Sequence, residues 1–352
     1  MTRKPPVMTW GMLRMTGRDC ASLRMTGKSA KNGGGRPQNA APGMQPTPTD
    51  RPRIAIRAYS GGMINFGARG HDVTAADFES LAIGLEAQGA RCVQLALGKS
   101  FPGVPSGPGA INPGMGEYCR ATLAAHGVSV AVLGCYVNLT DPDPVRHAGA
   151  MAAFEAYLRH ARYFGAPVVG THPGRLGHIA ESSARTASET AWREFRGTVE
   201  RLVAVGERFG AIVGLEPCPH HALHDLDSTE RLLREVDSPF LGIILDPAGH
   251  AIGDQAGDAA VDPSDPAERE VAVTEEAFRR FGDRIVAFHL KDFTVERGAD
   301  GPTAIVPCQI GDGIAPVARL LQIVDRHRPY LPVITEGTRD DRIGEAIRNH
   351  SS

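Results

Sequence analysis

No stretch of about 18 uncharged apolar residues occurs in the chain, so nothing in it reads as a membrane span. Cys-x-x-Cys pairs are missing too. The six cysteines (Cys20, Cys92, Cys119, Cys135, Cys218, Cys308) form no regular framework, which argues for reduced thiols in a cytoplasmic protein. Neither G-x-G-x-x-G nor G-x-x-x-x-G-K-[ST] stands between a strand and a helix, so no nucleotide cofactor is indicated. Excess charge is also lacking. The 38 Lys and Arg against 40 Asp and Glu leave a formal net charge of −2, and no electrostatic case for nucleic acid or an anionic membrane. What is present, 42% hydrophobic and 22% charged residues over 352 positions, suits a globular protein with a substantial core. It leaves a homo-oligomer open.

Residues 1–50 stand apart. They hold six of the nine methionines, eight Lys or Arg against two Asp, and an Arg-Met-Thr-Gly repeat at 14–17 and 24–27. No periodic apolar pattern runs through them. Low hydrophobicity with excess positive charge predicts a disordered basic extension. No apolar core of about 7–15 residues follows the basic start, as a secretory signal needs. A transit peptide and a chain starting at Met44 are the alternatives.

Residues 51–352 alternate short apolar runs with longer amphipathic ones, the pattern of an α/β parallel sheet. Expected strands are Ile54–Ala58, Cys92–Leu97, Ser129–Val137, Pro167–Thr171 and four more that end at Glu216, Asp246, His289 and Glu336. Expected helices cover about 75–88 (capped by Thr74), 116–126, 144–164, 187–209, 228–236 (capped by Asp227 or Ser228), 274–281, 314–326 and 340–349. Eight of each make a single (β/α)₈ TIM barrel, for which about 250 residues suffice. The Gly/Pro-rich loop 101–116 is long enough to cover a site.

The last four strands carry the chemistry. Each is a buried apolar run that ends on a residue able to bind a hard or borderline divalent metal: Glu216, Asp246, His289, Glu336. Their spacings of 30, 43 and 47 residues each fit one strand, one helix and their loops. Functional residues of such barrels sit at the C-terminal strand ends, so the four side chains should converge. A single buried carboxylate is as readily explained by a structural ion pair. Four in consecutive strands, with few Lys or Arg in the adjacent motifs, point to a cation. Three carboxylates with one imidazole suit Mn²⁺, Mg²⁺ or Co²⁺, with Zn²⁺ also possible.

The segments Gly-Leu-Glu216-Pro, Ile-Leu-Asp246-Pro, Phe-His289-Leu-Lys291-Asp292-Phe, Gly311-Asp312-Gly313 and Ile-Thr-Glu336-Gly resemble the sugar phosphate isomerase/epimerase family. That family has the xylose isomerase-like barrel and includes tagatose/psicose 3-epimerases, hydroxypyruvate isomerase and inosose-processing enzymes. Gly134–Asn138 and Ala161–Thr171 resemble its third and fourth strand regions, and the similarity spans about residues 53–349. The resemblance implies that Glu216, Asp246, His289 and Glu336 hold the metal. It also implies that Glu216 and Glu336 are the catalytic carboxylates, on opposite sides of a carbohydrate or polyol substrate. Two positions depart from the epimerase pattern. His250 follows Asp246 by four residues instead of three, and Val295 stands where an arginine is usual.

Further candidates for substrate contact are His250, His221, His172, Asn138, Lys291 and Asp292. His250 and His172 have plain structural alternatives, loop capping for the first and a satisfied structural histidine for the second. His220 and His224 share the loop of His221. Gly311-Asp312-Gly313 could present backbone N–H groups to a phosphate, although a tight turn explains the glycines equally well. The expected function is metal-dependent isomerisation or epimerisation of a sugar, keto-sugar or inosose through an enediolate. A lyase acting on a cyclic keto-polyol such as dehydroshikimate is the alternative. Phosphodiester hydrolysis of the endonuclease IV kind fits less well, because no Asp-x-His pair follows the seventh strand.

Overall fold

Eight of the apolar runs close into a parallel barrel. A computed structural model describes residues 64–174, 189–219, 221–251, 265–298 and 301–350. Its strands are β1 (Asn65–Arg69), β2 (Cys92–Leu95), β3 (Ser129–Gly134), β4 (Val168–Thr171), β5 (Ile212–Leu215), β6 (Leu241–Leu245), β7 (Ile285–Gly298), β8 (Gly301–Cys308) and β9 (Pro332–Glu336). Neighbours pair in parallel from β1 through β7. Then β7 pairs with β9 and β9 with β1, which closes the ring. Only β8 lies outside it, antiparallel to the second half of β7.

The helices are α1 (Phe78–Ala87), α2 (Leu97–Ser100), α3 (Pro113–Ala125), α4 (Pro144–His160), α5 (Glu189–Phe209), α6 (Leu226–Val236), α7 (Pro266–Phe281), α8 (Val317–His327) and α9 (Asp341–His350). All but the one-turn α2 alternate with barrel strands. Local chemistry sets their starts. Asp77 with Ser80, and Asp225 with Ser228, form capping boxes at α1 and α6. Asn112, Asp143 and Asp265 cap α3, α4 and α7, each followed by proline at the first helical turn.

Two cores hold the barrel. Cys92, Ala131, Val132, Val168, Ile244, Ala287 and Ile334 form a compact inner cluster, and a larger one fills the space between strands and helices. The inner layer is crowded. A Cβ on Gly170 would lie 2.6 Å from Val132 Cγ1 and 2.8 Å from Ile244 Cδ1.

Several expectations shift. The first described strand is Asn65–Arg69, whose one large apolar residue, Phe66, disguises it; the expected Ile54–Ala58 lies outside the described residues. Helix α1 is capped by Asp77, while Thr74 instead donates to the Asp340 carboxylate. Asp225 caps α6 in place of Asp227 or Ser228, because only there does a serine stand three residues on. Helix α7 begins eight residues early, at the Asp265-Pro266 cap. The extension of residues 1–50 also lies outside the described residues.

Candidate metal centre and active site

Parallel strands with alternating side chains bring the ends of β5, β6, β7 and β9 to one mouth. Glu216 follows β5 and donates its backbone N–H to the Thr171 carbonyl at the end of β4. Asp246 follows β6 and opens a 3₁₀ turn, Pro247–His250. In the β7–β9 register His289 lies opposite Ile334 and Lys291 opposite Glu336, so His289, Lys291 and Glu336 neighbour one another.

The four expected ligands converge. One ligand atom from each of Glu216, Asp246, His289 and Glu336 lies within 4.8 Å of the others, and no other such group occurs among the described residues. His289 Nδ1 is 3.3 Å from Glu216 Oε1 and 3.0 Å from Glu336 Oε2, without a well-directed hydrogen bond to either. Asp246 Oδ1 is buried with no hydrogen-bond partner. Buried polar atoms are rarely left this way, and a coordinated cation satisfies both. The residues therefore fit a divalent metal.

His289 is aimed by residues the sequence did not single out. Its Nε2 donates to Gln94 Oε1 at 2.9 Å, and the Gln94 amide donates to the Tyr136 hydroxyl at 2.6 Å. That chain fixes the proton on Nε2 and leaves Nδ1 as the ligand atom. Gln94 is buried in β2, and a polar residue in an otherwise apolar buried strand was the available signal.

Charge in the site is tightly matched. Lys291 Nζ lies 2.6 Å from Asp246 Oδ2 and 3.0 Å from Glu336 Oε1. Arg69 ends β1, grips Asp72 with two hydrogen bonds and reaches Glu336 Oε1 at 2.8 Å. Burial opposes ionisation of Glu336, but His289, Lys291 and Arg69 outweigh it and hold the carboxyl well below the carboxylate range. Burial likewise opposes charge on Glu216, and His289 then brings its carboxyl below the ordinary value. The His289 imidazole, despite its burial, is raised to about 10 by Glu216 and Glu336. Behind the site, burial and the nearby Asp246 and Asp292 push the Glu270 carboxyl of α7 well up.

The remaining candidates divide. His172 reaches the cluster: its Nδ1 is 3.6 Å from Glu216 Oε2, and its ring lies 5.4 Å from both the Tyr136 and His221 rings. Lys291 is central. His250 is buried beside Asp246, at 2% exposure, and its backbone carbonyl accepts from Arg269. Asn138 accepts from the backbone and hydroxyl of Thr140. Asp292 does something else entirely: its two oxygens accept the backbone N–H groups of Phe293, Gly311, Gly313 and Ala315. The phosphate reading of Gly311-Asp312-Gly313 is thereby overturned, because Asp292 already fills that anion position. His224 lies 3.3 Å from Asp225, and His220 is outside the described residues.

The β7–β8 hairpin buttresses this side. Phe293, with Val295 and Ile305, packs on Ala248 and Ala251 in the turn after Asp246. Val295 thus serves packing where an arginine was expected.

Residues 84–350 match the description "Xylose isomerase-like TIM barrel". The chain belongs to that family. Solved structures of similar fold include D-psicose 3-epimerase with D-tagatose from Clostridium cellulolyticum, at 15% identity over 82% of this chain and 91% of that chain (TM-score 0.55). Another is the probable 3-DHS dehydratase AsbF, involved in petrobactin synthesis, from Bacillus anthracis, at 14% identity over 81% and 98% (TM-score 0.59). The IolI protein with a binding zinc atom matches at 14% over 82% and 95% (TM-score 0.55). At these identities the likeness is one of fold. No curated protein sequence matches the chain.

Proposed function

We propose that the protein is a divalent-metal-dependent isomerase or epimerase of a sugar, keto-sugar or inosose-type polyol. The convergence of Glu216, Asp246, His289 and Glu336 within 4.8 Å carries this reading. Family membership supports it, and the neighbouring structures include an epimerase. A bound Mn²⁺, Mg²⁺, Co²⁺ or Zn²⁺ supplies an electrophile for the negative charge that develops when a proton leaves the carbon beside a carbonyl.

The chain's own groups do the rest. Among the described residues the ion-pair partners of Glu216 are His172 and His289, with no Lys or Arg clamped on it, so it is the freer base and takes the proton. Glu336 returns one on the other side for epimerisation. His172 borders Glu216, with the His221 ring against its own, and both can hydrogen-bond substrate hydroxyls, while Gln94 keeps His289 from turning.

One observation favours a second reading. Glu336 is clamped by Arg69 and Lys291, which hold it ionised and make it a poor proton donor. A lyase needs only Glu216, which takes the proton from carbon and returns it to the departing hydroxyl as water leaves. Incubating keto-sugars and inososes in D₂O with Mn²⁺ tests both readings. Deuterium in a C–H bond of recovered sugar supports the epimerase, and loss of water supports the lyase. A metal-loaded enzyme that does neither contradicts both. Glu336→Gln separates them further, since it abolishes epimerisation and spares a one-base elimination.

A further inference from the structure

Lys99, in the one-turn α2 just after β2, is not used by the mechanism above. Its ammonium sits 3.8 Å above the Tyr136 ring, whose hydroxyl belongs to the Gln94–His289 chain and whose face also meets His172. It lies near enough to Glu216, Glu336, Asp72 and Arg69 to feel their charges, yet among the described residues no carboxylate is within ion-pair distance of it. The side chain is exposed, so an incoming molecule can meet it.

Charge matching makes this lysine stand out. With a divalent ion in place, the three ligand carboxylates are balanced by the metal and Lys291, and Arg69 is balanced by Asp72. Among the described residues of the site, Lys99 is then left over. Partial desolvation in the barrel mouth and the neighbouring Arg69 charge lower its affinity for its own proton, so the position gains from a bound anion. His71 stands on the same side, felt by both Lys99 and Arg69, with its Nδ1 buried and without a hydrogen-bond partner. A single ammonium beside an imidazole is a seat for one carboxylate. The backbone amides that would cradle a phosphate, in Gly311–Ala315, are taken by Asp292.

We infer that the substrate is an acid, a polyol or keto-polyol bearing a carboxylate that pairs with Lys99 while its hydroxyls face the metal cluster. This rests on the metal-dependent reading of the site. It makes Lys99 a specificity residue of either the epimerase or the lyase.

The test uses calorimetric titration of the full chain, first with Mn²⁺ alone. D-gluconate, D-glucitol and D-glucitol 6-phosphate are then titrated into the Mn²⁺-loaded protein. Gluconate is expected to bind at least about ten-fold more tightly than glucitol, about the strength of one partly buried charge-assisted contact. Lys99→Gln should reduce that preference to less than about two-fold with Mn²⁺ affinity unchanged, and Lys99→Arg should restore part of it. Absence of Mn²⁺ binding overturns the metal reading and this inference with it. Mn²⁺ binding without a preference for gluconate, or a preference that survives Lys99→Gln, overturns this inference alone. Tighter binding of the phosphate ester overturns the carboxylate assignment.

Discussion

Gln94 decides which nitrogen His289 presents to the other ligands. Gln94→Leu keeps the volume of the buried side chain and removes the acceptor of the Nε2 proton. Mn²⁺ affinity is expected to fall about 10- to 100-fold, as for other outer-shell partners of ligating histidines, while the folded barrel persists. Unchanged affinity by calorimetric titration would remove Gln94 from the site. His289 also links stability to pH in metal-free protein. Its folded value of about 10 stands above the ordinary 6.5 of a free imidazole, so its contribution is complete below about pH 6.5. It is lost as pH rises through 10. The melting temperature of metal-free protein should therefore drop by about 5 °C or more between pH 7 and 10, and less in His289→Asn. Equal drops in the two proteins would show that the imidazolium is not held by Glu216 and Glu336. The four ligands were legible in the sequence because each ends an apolar run. Arg69 and Gln94 were not, because the partners that give them meaning are far away in the chain; His289 lies 195 residues from Gln94.

At the scale of elements, the parallel strands and most helices were legible from period and caps, whereas the β7–β8 hairpin was not. The segment after His289 mixes Lys, Asp and Thr with Phe and Val, so it shows neither a buried run nor a clean alternation. The hairpin depends on Asp292, whose carboxylate gathers four backbone N–H groups and whose oxygens leave no room for a Cβ at Gly313. Asp292→Ala should cost about 3 kcal/mol or more in urea denaturation, since buried donors lose their acceptor. A loss below about 1 kcal/mol would mean that the 309–315 loop holds itself. In the inner core, Gly170→Ala sets a methyl against Val132 and Ile244 and should cost about 1–3 kcal/mol by the same assay. A neutral effect would show that the barrel interior has slack.

For the whole molecule, the barrel serves to carry the four ligands from strands spread over 121 positions of the chain to one point. Residues 1–43 contribute no periodic apolar pattern to it, and their removal should leave the melting temperature within about 2 °C. A larger fall in a thermal scan would give them a part in the fold. The ring of strands was readable from the alternation of apolar and amphipathic runs, but its first member was not, since Asn65–Arg69 carries one large apolar side chain and gains its strand from pairing with β2 and β9. The central claim is that Glu216, Asp246, His289 and Glu336 are a single metal site, and anomalous scattering from crystals grown with Mn²⁺ tests it most directly. One ion per chain is predicted, with Glu216, Asp246, His289 Nδ1 and Glu336 all within about 2.0–2.6 Å of it. An ion bound elsewhere, or His289 turned away from the ion with its Nδ1 unligated, would contradict the account.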